Sequence, residues 1–317
     1  MTDMQDDVFK TPVNKIRLFE HGAPGSQNLK LTRKYYTEDM PDGRVKHIVQ
    51  NITDPDIVPY IPDGIGNSTD RQRIPAVLII PGGAFRRLVY NFEGEDVAKW
   101  LNSMGIAAFV LECRLPSDEH DNAEDVPLID AMRAMRVIRG RAQEFGIDEA
   151  KIGVMGFSAG GFMAALLSTA YESDVYADYK YKDEYDKLSA RPDFAVCSYP
   201  VISIDDCIEA GKRYMSEEQV LERISDSKAK ILHKYNPDKL VRPDMPPVFI
   251  CETDDDRTTL SENSVGFYMA ARKAGVSAEL HIFRTGGHGY GCGDDFAQTG
   301  EWKVLFTKWI KSIGIIS

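Results

Sequence analysis

The chain has 317 residues, a formal net charge of −11, 43% hydrophobic residues and 27% charged residues. That is the composition of a globular protein long enough to bury a large core. A negative balance of this size argues against nucleic acid, whose binding needs basic surface to replace counterions, and against adsorption to anionic membranes. No stretch approaches the roughly 20 apolar residues that cross a bilayer.

The five cysteines, Cys113, Cys197, Cys207, Cys251 and Cys292, are scattered without CxxC spacing, so neither a zinc site nor a disulfide framework is expected. Met1 to Asp7 is acidic and lacks the basic and apolar stretches of a secretory signal. The expectation is a cytoplasmic protein with no metal or other cofactor and no nucleic-acid or membrane partner. Self-association into a homo-oligomer is compatible with it.

Residues 1–44 are polar and punctuated by Pro and Gly, and they read as a surface arm. Val45 to Ile52 and Asp56 to Ile61 are short β-branched stretches, expected to form an initial pair of strands. Strands and helices then alternate. Ala76 to Ile80 is a continuous apolar run, the pattern of a strand buried on both faces. A helix follows over Glu93 to Ser103, and Gly105 stops it ahead of a strand at Ile106 to Leu111. Pro127 opens a helix whose apolar positions Leu128, Met132 and Met135 recur at spacings of four and three.

Lys151 to Met155 is a strand and Ala159 to Ala170 a helix, with a glycine-rich turn between them. Residues 171–190 and 204–240 interrupt the rhythm as polar insertions around the strand Phe194 to Ser198. The closing elements are a strand at Val248 to Cys251, a helix at Glu262 to Ala274, a strand at Ala278 to Phe283 and a helix at Trp302 to Ile310. This order implies a single α/β domain over residues 1–317, with a mostly parallel central sheet and helices on both faces.

Gly156-Phe157-Ser158-Ala159-Gly160 has the form G-x-S-x-G between a strand and a helix. A serine there sits on a sharp turn with its hydroxyl above the sheet, and flanking glycines let neighbouring backbone approach. Such a hydroxyl needs a base. Of six histidines, His288 in Gly286-Gly287-His288-Gly289-Tyr290-Gly291 follows the last strand on a flexible turn aimed at that edge. An acid is expected between serine and histidine in chain order. Asp254, Asp255 and Asp256 follow the Val248 strand at the carboxyl edge of the sheet, where open α/β sheets place ligands. The residues alone leave the choice among the three open. Pro81-Gly82-Gly83-Ala84-Phe85 follows the first central strand and is placed to form an oxyanion site from the N–H groups of Gly83 and Ala84, together with that of Ala159.

These segments resemble α/β-hydrolase esterases grouped with bacterial acetyl-xylan esterases and other carbohydrate acetylesterases, and more distantly the prolyl-oligopeptidase group. The likeness runs through Pro81-Gly82-Gly83, Glu93-Gly94-Glu95, Arg114-Leu115, Gly156–Gly161, Tyr199-Pro200, Asp255-Asp256, Glu262-Asn263-Ser264 and Gly286–Gly291. The resemblance implies the α/β-hydrolase fold, with the insertions 171–190 and 204–240 near the active site. It implies a Ser158–His288–Asp255 triad, because the first acid of the Asp-Asp pair is the catalytic one in that pattern. It further implies a serine esterase cleaving short acyl, chiefly acetyl, groups from a small-molecule or oligosaccharide ester. Phe85, Arg86, Arg257 and Tyr290 are candidates to contact that substrate.

Two features depart from the pattern. Ala84 stands where a third glycine is usual, and Cys113 replaces the Tyr of a Tyr-Arg-Leu motif, leaving Arg114 as a structural anchor. The alternatives are a general short-chain carboxylesterase or lipase, a prolyl-oligopeptidase-like peptidase and a non-catalytic binding protein.

Overall fold

The computed structural model describes residue 9 and residues 12–65, 73–216, 218–220, 227–293 and 298–317. Most of the first eleven residues of the arm, and residues 217 and 221–226 of the second insertion, lie outside the described residues.

The apolar runs become the strands at the centre of the molecule. β1 is Ile16–Arg17, β2 Lys34–Asp39, β3 Val45–Gln50, β4 Asp56–Tyr60, β5 Ile74–Ile80, β6 Leu88–Val89 and β7 Ala107–Glu112. β8 is Ile147–Phe157, β9 Ala195–Ser198, β10 Val248–Thr253 and β11 Ala278–Phe283. One sheet has the order β1-β4-β7-β5-β8-β9-β10-β11. From β7 through β11 its neighbours are parallel, while β4 and β1 add antiparallel strands at one edge. Strands β7, β9 and β10 are buried at every position, as expected where helices cover both faces. At the far edge β11 is only half-buried, and there His281 pairs with Glu279 at 2.7 Å.

The two stretches expected to form an initial pair of strands are β3 and β4, and they enter different sheets. β3 joins β2 and β6 in a separate three-stranded antiparallel sheet, whereas β4 enters the main sheet beside β7. Asn51, in a left-handed conformation at φ 56°, turns the chain between them.

The first three helices are α1 Asp96–Ser103, α2 Val126–Gly140 and α3 Ala142–Phe145. The fourth, α4 Ala159–Ala170, is buried from Ala159 through Thr169. Small residues bring α4 close to the sheet and its loops. A Cβ on Gly160 would lie 1.9 Å from the carbonyl oxygen of Ile80, and one on Gly161 would lie 2.9 Å from Pro200.

Buried charges fasten the arm to this frame. Lys15, Arg33 and Tyr35 converge on the fully buried carboxylate of Glu112 at the end of β7. Arg114, also fully buried, grips Asp130 of α2 through Nε and Nη2 and donates to the Ser26 hydroxyl and the Pro24 carbonyl. The insertion 171–190 runs along α2, where Arg133 binds Asp183 and Asp186, and Arg136 donates to the Leu188 carbonyl. The second insertion leaves β9 directly. Its helix Ile204–Tyr214 is capped by Ser203, and Lys234 reaches Asp125 at the start of α2.

Removing one partner of a buried ion pair strands the other charge without solvent. Asp130→Ala should therefore lower the unfolding free energy by about 3–5 kcal/mol, read as a lower urea midpoint with an unchanged slope.

Candidate active site

Ser158 links the end of β8 to the first residue of α4 with φ 55° and ψ −118°. A residue with a side chain is strained there, at a cost on the order of 1–3 kcal/mol. The surrounding structure fixes it. Its N–H donates to the Ser198 carbonyl of β9 at 3.0 Å, and its carbonyl accepts from Phe162 N at 3.1 Å. A Cβ on Gly156 would stand 1.9 Å from the Gly160 carbonyl oxygen, so the elbow closes only around glycine at that position.

The Ser158 Oγ lies 2.8 Å from His288 Nε2. On the other side of the ring, His288 Nδ1 lies 2.6 Å from Asp256 Oδ2. A carboxylate at Nδ1 fixes the tautomer with the proton on Nδ1, leaving Nε2 to accept from the serine hydroxyl. Ser158 is 9% exposed and the His288 side chain 21%, so the pair opens to solvent at one side.

The acid at His288 is Asp256, not Asp255 as the resemblance implied. The chain reverses after β10, with Asp256 N–H donating to the Thr253 carbonyl, and this turn sends the two neighbouring side chains in opposite directions. Asp256 points inward and is 2% exposed. Its Oδ1 accepts from the N–H groups of Thr258 and Thr259 at 2.7 and 2.9 Å, and its Oδ2 from the Thr259 hydroxyl at 2.9 Å. Burial pushes its pKa up, but the hydrogen bond and charge of His288 and the Thr259 and Thr258 amides outweigh burial and hold it below the ordinary value. Asp255 points outward, is exposed, and accepts from Gly287 N at 2.8 Å and Gly286 N at 3.3 Å. It fastens the histidine loop without touching the imidazole.

A buried carboxyl that the sequence reading did not single out joins the parts of the site. Glu93, 5% exposed, accepts from Gly82 N at 2.7 Å and from the Tyr199 hydroxyl at 2.9 Å. The same hydroxyl accepts from Gly291 N at 3.1 Å, and the Tyr199 ring meets His288 edge-on with centroids 5.0 Å apart. One carboxyl thus ties the Gly82-Gly83 loop to the histidine loop. Burial raises its pKa against the opposing pull of His288, Tyr199 and Gly82. Its motif, Glu93-Gly94-Glu95, was visible in the sequence; its burial was not.

The four candidate contact residues divide in two. Phe85 is buried with its ring edge-on to Phe162 at 5.5 Å, and Tyr290 is buried against Tyr199 at 4.5 Å. Both rings pack against aromatic neighbours, which leaves little of either side chain open. Arg86 and Arg257 are exposed. Ala84 and Phe85 both adopt left-handed conformations, at φ 57° and 61°, and the Gly83 carbonyl accepts from Arg86 and Arg87 inside this turn.

A mostly parallel eight-stranded sheet, with a serine on its strand–turn–helix elbow and a histidine and an acid on later loops, defines the α/β-hydrolase fold. The chain belongs to the BD-FAE family, whose model matches residues 65–270. Over 240 residues it is 31% identical to an acetylxylan esterase of Xylanibacter ruminicola, a match covering 75% of this chain and 45% of that protein. The chain therefore spans less than half of that relative's length. Among solved structures, an acetyl ester-xyloside bifunctional hydrolase from Caldicellulosiruptor lactoaceticus is 34% identical with a TM-score of 0.70, covering 96% of this chain and 97% of that one. A thermophilic esterase from Thermogutta terrifontis shares the fold at 24% identity and a TM-score of 0.65, over 93% of this chain and 96% of its own. These likenesses agree with the resemblance drawn from the motifs.

Glu93→Gln puts an amide NH2 against one of two donors, the Gly82 N–H or the Tyr199 hydroxyl. The expected loss is about 1–3 kcal/mol of stability, measured in urea. Slower labelling of Ser158 by a fluorophosphonate should accompany it.

Proposed function

We propose that the protein is a serine esterase that removes short acyl groups, chiefly acetyl, from carbohydrate esters such as acetylated xylo-oligosaccharides. The observation that carries this reading is the hydrogen-bonded chain Ser158–His288–Asp256. In the proposed reaction His288 takes the Ser158 proton as Oγ attacks the ester carbonyl, and Asp256 holds the resulting imidazolium in register. His288 then protonates the departing sugar hydroxyl. Water, deprotonated by the same imidazole, releases the acid from the acyl-enzyme.

The developing oxyanion would be met by the N–H groups of Gly83, Ala84 and Ala159, each worth about 3 kcal/mol in the transition state. The Gly82 N–H is already taken by Glu93, which directs this role to the next two amides of the loop. Ala159 opens α4, and the first N–H groups of a helix have no partner within it. Arg86 and Arg257, both exposed, are the proposed contacts for the sugar hydroxyls.

Support for a sugar ester comes from the acetylxylan esterase and the acetyl ester-xyloside hydrolase to which the chain is similar. No helix among the described residues is long and apolar enough to cross a membrane. A cytoplasmic location is proposed with this function, supported by Cys113, Cys197 and Cys251, all buried as thiols outside any disulfide, the form a reducing compartment maintains.

Ser158→Ala should fold normally by circular dichroism. Its release of acetate from acetylated xylo-oligosaccharides should fall by about three orders of magnitude or more. Acetate release at the unsubstituted rate would overturn the reading.

A further inference from the structure

A cleft of about 370 Å³ lies apart from the catalytic serine, within the size range of small-molecule sites. Three segments distant in sequence make it: the arm at residues 24–27, the loop at 121–122, and the insertion at 174–181. Ile129 of α2 adds an apolar side chain, and Ser158, Asp256 and His288 take no part in the lining. The loop at 121–122 leaves the carboxyl end of β7, the end of the parallel sheet at which β8 delivers Ser158. The cleft and the catalytic serine therefore lie toward the same edge of the sheet.

Its walls are fixed by contacts of their own. Asp121 N–H donates to the Gly25 carbonyl at 2.9 Å, and a Cβ on Gly25 would stand 2.6 Å from the Asp121 carbonyl oxygen. Only glycine lets the arm approach the loop so closely. The Tyr179 hydroxyl donates to the Gly22 carbonyl at 2.8 Å, and its ring meets Phe19 edge-on at 5.6 Å. Tyr176 is buried and donates to Asp186 at 2.8 Å. A site held in shape before its ligand arrives loses less binding free energy to ordering.

The chemistry of the lining selects the kind of ligand. Asp121, Asp174 and Asp178 are exposed around the cleft, and their carboxylates make no hydrogen bond or ion pair with a described residue. Carboxylate oxygens accept strongly from hydroxyl groups. Tyr179 and Tyr181 present aromatic rings, whose negative faces attract the polarised C–H groups of a sugar ring. Lys180 adds a donor, its ammonium resting over the Tyr181 ring at 4.5 Å. An anion would be repelled by three carboxylates, a cation would meet Lys180, and a wholly apolar ligand would strip water from the acids without replacing it. A neutral molecule with many hydroxyls and an apolar C–H face suits all of these groups.

We propose that this cleft binds a neutral pyranose chain, holding a carbohydrate at a place separate from the serine that cleaves its esters. The choice of a xylan backbone as the probe rests on the esterase reading above.

The test is titration of the whole 15N-labelled chain with xylotetraose that carries no acetyl group. Backbone amide resonances of residues 174–181 and 121–122 should shift and saturate. Tetragalacturonate, equally long but with a carboxylate on each ring, should leave them in place. Tyr181→Ala and Asp178→Ala alter exposed side chains. Each should weaken xylotetraose binding by about five- to tenfold, the scale of one ring contact or hydrogen bond, with kcat/KM on p-nitrophenyl acetate held within about twofold.

Unmoved resonances at these residues would overturn the proposal, as would equal binding of tetragalacturonate or undiminished affinity in both variants. If the variants do not fold, the shifts in the unsubstituted protein decide. The titration involves no turnover. A chain that binds xylotetraose here but cleaves no ester would fail the functional reading and keep this one. A chain that cleaves acetyl esters while these resonances stay fixed would do the reverse.

Discussion

Everything at the site depends on one residue held in a backbone conformation that it would not adopt alone. Ser158 sits at φ 55° and ψ −118°, between a strand that ends and a helix that begins. Its N–H is bound to Ser198 in β9 and its carbonyl to Phe162 in α4. The sheet register pairs Phe157 with Ser198, so the position of the nucleophile is set by strand pairing laid down over the preceding residues. The glycines on either side are where the neighbouring chain passes. At Gly156 and Gly160 even a methyl group would meet a carbonyl oxygen at 1.9 Å. The strain at the serine is thus offset by the fold as a whole, and relaxing the turn would require unpairing the sheet or lifting the helix.

A second constraint is electrostatic. Two carboxyls, Glu93 and Asp256, are buried close to a single imidazole. Their surroundings separate their roles. Asp256 is held charged by its donors, and Glu93 joins the loop at Gly82 to the loop at Gly291 through Tyr199. His288 is surrounded by glycines in left-handed conformations, at Gly287, Gly289 and Gly291, and a loop so free in the unfolded chain needs external fastening. Asp255, Thr253 and Trp302 supply it, through Gly286, Gly287 and Gly291.

The sequence displayed the scaffold well because the scaffold is made of local patterns. Helix α4 and strand β11 have the bounds their residues imply, since each is a periodic or apolar run closed by turn residues. The pairing of strands is not local. Val45 to Ile52 and Asp56 to Ile61 both read as strands, but their neighbours, β2 and β6 for one and β1 and β7 for the other, are not written in either stretch. The serine and the histidine were legible for the same reason as α4, because a motif and a glycine loop surround them. The acid was not. Asp255 and Asp256 are chemically identical neighbours, and only the turn at Thr253–Asp256 decides which one faces the ring.

The central claim is that Ser158 is activated through a ring oriented by Asp256, with Asp255 serving only to fasten the loop. The most direct measurement is kcat/KM for p-nitrophenyl acetate in Asp256→Asn and Asp255→Asn side by side. An amide at position 256 should disturb the imidazole tautomer and lower the value by about four orders of magnitude, the scale seen for such a replacement in other triads. At position 255 it should cause a far smaller loss. The reverse order, or equal losses, would contradict the account.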